Sequence, residues 1–204
     1  MEIDSKDLFA EKSKSWDMNS RRVQSAKAIA DTILTNINLS REMKIMDLGA
    51  GTGLLSYFLS DYVGYITAVD NSPSMLEIFE EKSNEFSCPT SVLALDFANE
   101  PIVGETFDGV VSSMTIHHIE DIREMFQKLY ALLPKNGFIA LADLDAEDGT
   151  FHSDNEGVFH FGFNRRELSE LANDAGFKEI EFFKAHTINK PQAEYSIFLM
   201  KAIK

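Results

Sequence analysis

The sequence predicts an α/β protein built on a parallel, doubly wound sheet, and three observations support that fold class. From residue 44 onward, short β-rich runs alternate with segments of helical periodicity. Three acids, Asp47, Asp70 and Asp96, each lie at the carboxyl end of a predicted strand. A glycine-rich turn at residues 49–53 separates the first strand from a helix. Because ligands of such sheets bind at the carboxyl ends of the strands, this edge is the predicted functional site.

The composition indicates one globular domain, residues 1–204, in which 44% of the residues are hydrophobic. The formal net charge of −14 argues against nucleic acid, since phosphate backbones are bound by clustered Lys and Arg. No apolar run reaches the length of a membrane span, and the charged N-terminus is unlike a secretory signal. A single cysteine, Cys88, excludes an internal disulfide and fits a reducing compartment. We therefore expect a cytoplasmic protein that binds neither nucleic acid nor a membrane.

Residues 1–40 are predicted to form a helical cap or lid. Apolar residues recur there at three- and four-residue steps, which is typical of one buried helix face. They are Val23, Ala26, Ile29, Ala30, Ile33 and Ile37. Ser20 is the expected N-cap of this helix. Upstream, Trp16 either closes over the cleft or pins the arm to the core, and both interpretations are open.

Five strands are expected in the alternating region. They are Lys44–Leu48, Tyr65–Val69, Ser91–Leu95, Phe107–Ser113 and Phe138–Ala142. The segments between them have helical spacing. Ser72 caps one helix with Pro73 in its first turn, and another helix extends from about Asp121 to Leu133.

The segment 143–163 interrupts the alternation, because it is polar and rich in acids and histidines. A loop of this length is more often functional than idle, so we expect a substrate flap there. A helix from Arg165 to Ala175 follows, with a capping box at Asn164 and a stop at Gly176. Two strands that a short hairpin could join end the chain. They are Lys178–Ala185 and Tyr195–Ala202.

The spacing of the glycine turn separates two kinds of cofactor. Without Cβ atoms the backbone can turn sharply and approach a ligand closely, and the following helix offers unpaired N–H groups. A dinucleotide fingerprint requires G-x-G-x-x-G, but the sixth position counted from Gly49 is Leu54. Glycines stand instead at every second position, Gly49, Gly51 and Gly53, and Asp47 lies two residues before the first.

In this stretch, Asp47-Leu48-Gly49-Ala50-Gly51-Thr52-Gly53, the sequence resembles the first motif of the class I S-adenosylmethionine (SAM) methyltransferases. The resemblance covers residues 44–202 and implies a Rossmann-like, mostly parallel seven-stranded sheet with an antiparallel C-terminal hairpin. It also implies SAM as the cofactor. The pattern around Thr115–Ile119 resembles the small-molecule branch that includes quinone and metabolite methyltransferases.

The resemblance also implies roles for residues at the strand ends. Asp70 would accept hydrogen bonds from the ribose diol, although an acid at this place would equally suit NAD. Asp96 would accept the adenine amino group, with Phe97 against the ring. Asp47 would steer the turn and approach the methionine end of the cofactor, and Ser113 would line the far wall. The complete predicted set is Trp16, Asp47, Gly49, Ala50, Gly51, Thr52, Gly53, Asp70, Asn71, Asp96, Phe97 and Ser113.

The predicted catalytic residues are His117 and His118, just after the fourth strand. A general base is needed only if the acceptor carries its proton to the site. His152 and His160 are further candidates, and a structural role is the alternative for all four. The spacing of His152 and His160 lacks the close-set pair that encodes metal ligands locally, so no metal site is predicted.

The predicted function is SAM-dependent methyl transfer to an O, N or C atom of a small molecule. The chain reads Ser113-Met114-Thr115-Ile116 after the fourth strand, where methyltransferases of nucleobases carry an Asn/Asp-Pro-Pro-Tyr/Phe turn. Two alternatives are open: a non-catalytic SAM-binding scaffold or regulator, and an NAD-linked oxidoreductase. The sequence makes no prediction of the oligomeric state.

Overall fold

The computed structural model describes Asp17 and residues 19–204. Within these residues the helices are α1 (Ser20–Asn36), α2 (Leu54–Leu59), α3 (Pro73–Glu81), α4 (Ile122–Leu132) and α5 (Arg165–Ala175). The strands are β1 (Lys44–Leu48), β2 (Tyr65–Asp70), β3 (Thr90–Ala94), β4 (Gly109–Ser113), β5 (Phe138–Leu144), β6 (Lys178–Asn189) and β7 (Glu194–Ile203).

The seven strands form one sheet in the order β3-β2-β1-β4-β5-β7-β6. Strands β1 to β5 pair in parallel, whereas β7 is antiparallel to both β5 and β6. The predicted fold class, a doubly wound sheet with an antiparallel C-terminal hairpin, is confirmed. The strand order reverses between β1 and β4, which is where a crevice opens at the carboxyl edge of such a sheet.

Helices cover both faces of the sheet. On one face α1 and α2 contribute Ile29, Ile33 and Leu59 to the core, and on the other α4 and α5 contribute Phe126 and Leu168. Because both faces are covered, all seven residues of β5 are buried. This explains why the central strands are continuous apolar runs in the sequence.

Local signals set the helix ends as predicted at three places. Ser72 caps α3, and Asn164 caps α5 by accepting hydrogen bonds from two backbone N–H groups of the first turn. Gly176 ends α5 in the left-handed region at φ +108°. These ends fix where the loops of the carboxyl edge begin and end.

The N-terminal segment is described at Asp17 and from Asn19 onward, and Trp16 lies outside the described residues. The predicted N-cap Ser20 was wrong by one residue. Asn19 is extended and its side chain accepts the N–H of Arg21 at 3.1 Å, while Ser20 is already helical. Asn and Ser are both good caps, so composition alone did not separate the two positions.

Three predicted strand boundaries differ from the structure at places that matter for the site. β3 ends at Ala94, so Asp96 lies two residues beyond the strand. β4 begins at Gly109 and not at Phe107. β5 continues to Leu144, so Asp143, predicted to begin the flap, is a buried strand residue. Among the described helices, none is long and apolar enough to cross a bilayer.

Candidate active site

A cleft of about 1520 Å³ lies at the carboxyl edge of the sheet. The glycine turn after β1, the ends of β2 and β4, and the loop after β5 all line it. Its volume exceeds the roughly 300–1,000 Å³ of an ordinary small-molecule site. The described walls therefore enclose room for a cofactor together with a second molecule.

The three positions of the turn require glycine for different structural reasons. All have positive φ, at +67° for Gly49, +53° for Gly51 and +83° for Gly53. A Cβ on Gly49 would lie 2.1 Å from Thr115 Cγ2, and one on Gly53 would lie 2.6 Å from Phe79 Cδ2. A Cβ on Gly51 would meet no atom within 4 Å. Gly51 therefore leaves its backbone open to a ligand, which is the cradle that a bound cofactor requires.

Asp70, the last residue of β2, joins the glycine turn to the start of α3. Its Oδ2 accepts the N–H of Gly51 at 2.8 Å, and its Oδ1 accepts the N–H of Ser72 at 2.9 Å. The carboxylate is half-buried and lies on the cleft wall. Two main-chain bonds thus hold its orientation, as a recognition group for a diol needs.

Asp47 is almost fully buried, with 1% of its surface exposed. It accepts the hydroxyl proton of Ser56 in α2 at 2.6 Å. Burial raises the pKa of this carboxyl to about 7, and the nearby charge of Asp70 raises it further, against the lowering effect of the Ser56 bond. Asp47 therefore fixes the helix to the strand on either side of the turn, and its charge depends on pH near neutrality.

The described end of the N-terminal arm lies against the glycine turn. The hydroxyl of Thr52 donates to Asp17 Oδ1 at 2.5 Å, and Lys82 forms an ion pair with the other oxygen of Asp17. Thr52 is 1% exposed. This contact holds Asp17 beside the cradle and was not predicted from the sequence.

Asp96 and Phe97 border the cleft at the end of β3, next to the exposed Asn71. Asp96 accepts the N–H of Ala98 at 3.0 Å and the side-chain amide of Asn99 at 2.7 Å. Phe97 is 4% exposed and packs in the main hydrophobic core. Its ring is therefore mostly a core group, and its predicted contact with a cofactor ring would use only its edge.

The far wall turns sharply after Ser113. Met114 has φ +57°, which is uncommon for a residue other than glycine, and its N–H donates to Ala142 O at 2.8 Å. Thr115 then lies against the glycine turn and donates to Gly49 O at 3.3 Å. A 3-10 turn over Ile116–His118 follows and brings both histidines to the cleft.

His117 and Asp143 form a buried pair at the end of β5. Nδ1 of His117 lies 2.8 Å from Asp143 Oδ1, and the two residues are 1% and 0% exposed. Because a carboxylate accepts, it assigns the ring proton to Nδ1 and leaves Nε2 as the basic nitrogen. Nε2 of His117 is buried and has no hydrogen-bond partner among the described residues. Only a further group, such as a bound molecule or ion, would give Nε2 of His117 a partner.

His118 and His152 complete a cluster around His117. The ring of His117 lies 4.2 Å from that of His118 and 4.9 Å from that of His152, centroid to centroid. Nδ1 of His118 donates to Gly157 O at 2.6 Å. Nδ1 of His152 is buried and has no hydrogen-bond partner in the part of the chain that the structure describes. Burial, followed by the neighbouring histidines, lowers the pKa of this ring to about 4. The fold thus joins residues that are 34 positions apart in the chain.

The segment predicted as a flap packs against this cluster. Arg165 binds Asp145 through two hydrogen bonds of 2.6 and 2.8 Å, and the N–H of Phe159 donates to His117 O at 3.0 Å. His160 donates from Nε2 to Ile119 O at 2.9 Å. The ring of His160 therefore has a structural contact with the backbone.

The comparisons with known proteins agree with this geometry. Residues 45–137 match the model of a methyltransferase domain family. A methyltransferase of Schizosaccharomyces pombe, itself uncharacterized, is 35% identical over 184 residues, covering 80% of this chain and 63% of the relative. Together these matches indicate a class I SAM-dependent methyltransferase. The predicted family, enzyme class and cofactor are confirmed at the level of the family.

Solved structures share the fold of this methyltransferase across most of its length. A methyltransferase in complex with the Trm112 methyltransferase activator of Haloferax volcanii has a TM-score of 0.74 at 18% identity, over 97% of this chain and 96% of the other. A SAM-dependent methyltransferase of Aquifex aeolicus has a TM-score of 0.70 at 18% identity, over 95% and 97%. The chain spans 63% of its fission yeast relative and 48% of its relatives from Mycobacterium.

Most of the predicted site residues line one cleft together with both predicted histidines. They are residues 47, 49–52, 70, 71, 96, 97 and 113. The predicted Gly53 is not among the lining residues and packs against Phe79 instead. Sequence reasoning missed Asp143 as the partner of His117, and His152 as a member of the same cluster. Asp143 follows the buried run Phe138–Ala142, so its position near the end of a strand, like that of Asp47, was the available signal. His152 had no such signal, since it lies in an irregular loop.

Proposed function

We propose that the protein transfers the methyl group of SAM to an O, N or C atom of a small molecule bound in the cleft. One observation carries the proposal: the cradle at Gly51 lies beside Asp70, and a cluster of histidines lines the same cleft. Family membership supports the cofactor, and the acceptor is our inference. The acidic net charge of −14 favours a small molecule over nucleic acid.

On the cofactor side, the chain supplies orientation. SAM brings an electrophilic methyl group on a sulfonium, so the protein needs chiefly to align and enclose it. In our proposal Asp70 accepts the ribose hydroxyls and Asp96 accepts the adenine amino group. Gly51 lets the ligand approach the main chain, and the carboxyl of Asp47 lies behind the turn near the methionine end.

On the acceptor side, His117 lines the cleft, and its Nε2 has no hydrogen-bond partner among the described residues. Asp143 holds its ring through Nδ1, so Nε2 is placed to take the proton of an acceptor that arrives protonated. We propose that the loop 145–163 covers this space and excludes water, and that Asp17 borders it on the cofactor side. Both contact the site, through Phe159 N–H to His117 O and through Asp17 to Thr52.

Calorimetry with SAM, S-adenosylhomocysteine (SAH) and NAD tests the cofactor assignment. We expect SAM and SAH to bind with one site per chain and NAD to give no heat. Binding of NAD without SAM would support the oxidoreductase alternative and overturn the proposal.

Radiolabelled SAM incubated with fractionated metabolite pools tests catalysis. We expect label to move into a small molecule in one or a few fractions, with SAH formed in equal amount. SAM binding without any labelled product would favour the scaffold alternative. The matched control is Asp70→Ala, which should lose labelling together with SAM affinity.

A further inference from the structure

We propose that His117, His118 and His152 form a binding site for one divalent transition metal ion of the zinc class. One ring nitrogen from each residue lies within 4.8 Å of the other two. All three residues line the cleft that also contains the glycine turn. Metal binding stands on this cluster alone and does not depend on methyl transfer. A bound ion would occupy the lone pair on Nε2 of His117, so the proton uptake proposed for that atom applies to the metal-free protein.

The hydrogen bonds around two of the rings define which nitrogens would bind metal. His117 donates from Nδ1 to the carboxylate of Asp143, and His118 donates from Nδ1 to the carbonyl of Gly157. Each bond places the proton on Nδ1, so Nε2 carries the lone pair. Carboxylate and carbonyl partners of this kind typically orient histidine ligands in metal sites and raise their basicity.

Two buried nitrogens of the cluster have no hydrogen-bond partner among the described residues. They are Nε2 of His117 and Nδ1 of His152. Buried polar atoms without partners are rare in native proteins and call for an explanation such as an ion. A metal ion would satisfy both nitrogens at once, whereas a purely structural role of the cluster leaves both unsatisfied.

The geometry is close to that of a bound ion but more open. Zinc binds histidine nitrogen at roughly 2.0–2.1 Å, which sets tetrahedral N–N separations of about 3.4 Å. Since the three nitrogens lie within 4.8 Å of one another, no pair needs to close by more than about 1.4 Å. His152 lies in an irregular loop, so in our proposal its ring makes most of this approach, while His117 and His118 are held by their partners. Three histidines with a fourth position left for another ligand are typical of catalytic zinc.

Charges of both signs lie near this place, because Lys190 acts on His152 from one side and Asp143 from the other. Three neutral imidazoles add no charge, and the buried carboxylate of Asp143 contacts the first of them. The protein carries a formal net charge of −14. Imidazole ligands suit zinc, cobalt and nickel. The sequence analysis predicted no metal site, and this proposal departs from it because the third ligand comes from a distant loop.

Cobalt titration of the untagged, chelator-treated full chain tests the proposal. We expect one Co²⁺ per chain, visible absorption bands of a four-coordinate site, and displacement by Zn²⁺. His152→Ala should abolish this spectrum. Asp143→Asn should lower metal affinity by about 10- to 100-fold, as expected for a group that orients a ligand. The control His160→Gln removes a nearby histidine outside the cluster but keeps a side-chain N–H for the carbonyl of Ile119, and should leave the titration unchanged.

Two results would overturn the metal site: less than one Co²⁺ per chain in the wild type, or equal loss in His152→Ala and His160→Gln. Circular dichroism and SAH calorimetry on the same samples show whether each variant is folded. If His152→Ala does not fold, wild-type NMR decides, because Zn²⁺ should shift the ring signals of three histidines and not those of His160 and His186. Metal binding without SAM binding would refute the proposed function alone, and SAM binding without metal binding would refute this inference alone.

Discussion

The N–H of Gly51 donates a 2.8 Å hydrogen bond to Oδ2 of Asp70, so the end of β2 holds the turn that follows β1. The two residues are 19 positions apart in the chain, and the parallel pairing of β1 with β2 brings them together. A single carboxylate therefore both shapes the cradle and faces the cleft. Loss of this carboxylate should affect ligand binding more than it affects the fold.

Asp70→Asn should lower SAH affinity by roughly 10- to 100-fold. Hydrogen bonds to a charged group contribute about 1.5–3 kcal/mol, and the amide retains only one acceptor oxygen. Isothermal calorimetry measures the change. The control is Asp108→Asn, since Asp108 also accepts a main-chain N–H, from Lys44 at 2.8 Å, but does not line the cleft. Equal affinity losses in both variants would contradict the assigned role.

Gly51→Ala should weaken SAH binding strongly while costing only about 1–2 kcal/mol of stability, the strain of a left-handed alanine. The matched control is Gly104→Ala. Both glycines have positive φ, +53° and +79°, and a Cβ at either would meet no atom within 4 Å. Denaturant unfolding should therefore show similar losses for the two variants. Calorimetry should show weakened binding only for Gly51→Ala, and unaltered binding there would refute the cradle.

Gly49→Ala should be far more damaging to folding than Gly51→Ala. Its Cβ would lie 2.1 Å from the side chain of Thr115, on a backbone that already has φ +67°. Thr115 also donates to Gly49 O, so it cannot simply move away. Thermal melting of Gly49→Ala, Gly51→Ala and wild type in parallel checks the order. A Gly49→Ala protein as stable as Gly51→Ala would contradict this packing.

The free energy of unfolding should fall as pH rises from about 4 to 7 in a way that depends on Asp47. Burial raises the pKa of this carboxyl from its ordinary 3.8 to about 7, so the folded state favours the protonated form. The stabilisation is fully present below pH 3.8 and is lost as pH rises through 7. Asp47→Asn stays neutral and should lack this decline, so its advantage over wild type should grow with pH by up to a few kcal/mol.

Urea unfolding of both proteins without ligand, at intervals from pH 4 to 8, measures that difference. Asp108→Asn, at an exposed carboxylate, supplies the reference for the general effect of removing one acid. Parallel curves for wild type and Asp47→Asn would show that Asp47 is ionised in the folded protein throughout this range.

Arg165→Ala should loosen the loop 145–163 without affecting SAH binding. The guanidinium holds Asp145 by two hydrogen bonds at the start of the loop, while the cofactor cradle lies on other strands. Hydrogen exchange should quicken across residues 146–163. The control is the adjacent Arg166→Ala, whose side chain is 88% exposed and pairs with Glu170 on the same helix. Exposed pairs contribute about 0–1 kcal/mol, so Arg166→Ala should exchange like wild type.

Much of the cofactor side was predictable from the sequence because its determinants are local. The glycine spacing, the acids at strand ends and the caps at Ser72 and Asn164 each depend on neighbours a few residues away. The structure gathers Asp47, Asp70 and Asp96 at one edge as expected for parallel strands. The ends of the strands were predicted less accurately. Because β5 continues two residues beyond its predicted end, Asp143 was assigned to the flap and not to the strand.

The sequence by itself determined the alternation of strands and helices, the turn that must be glycine, and the family. Only the tertiary structure decided that Asp143 orients His117, that His152 joins the histidine pair, and that Asp17 lies on Thr52. The physical reason is the sequence separation over which each kind of interaction acts. Backbone preferences act over a few residues and are written in local spacing, whereas contacts across 26 to 35 positions depend on how the packed sheet directs its loops.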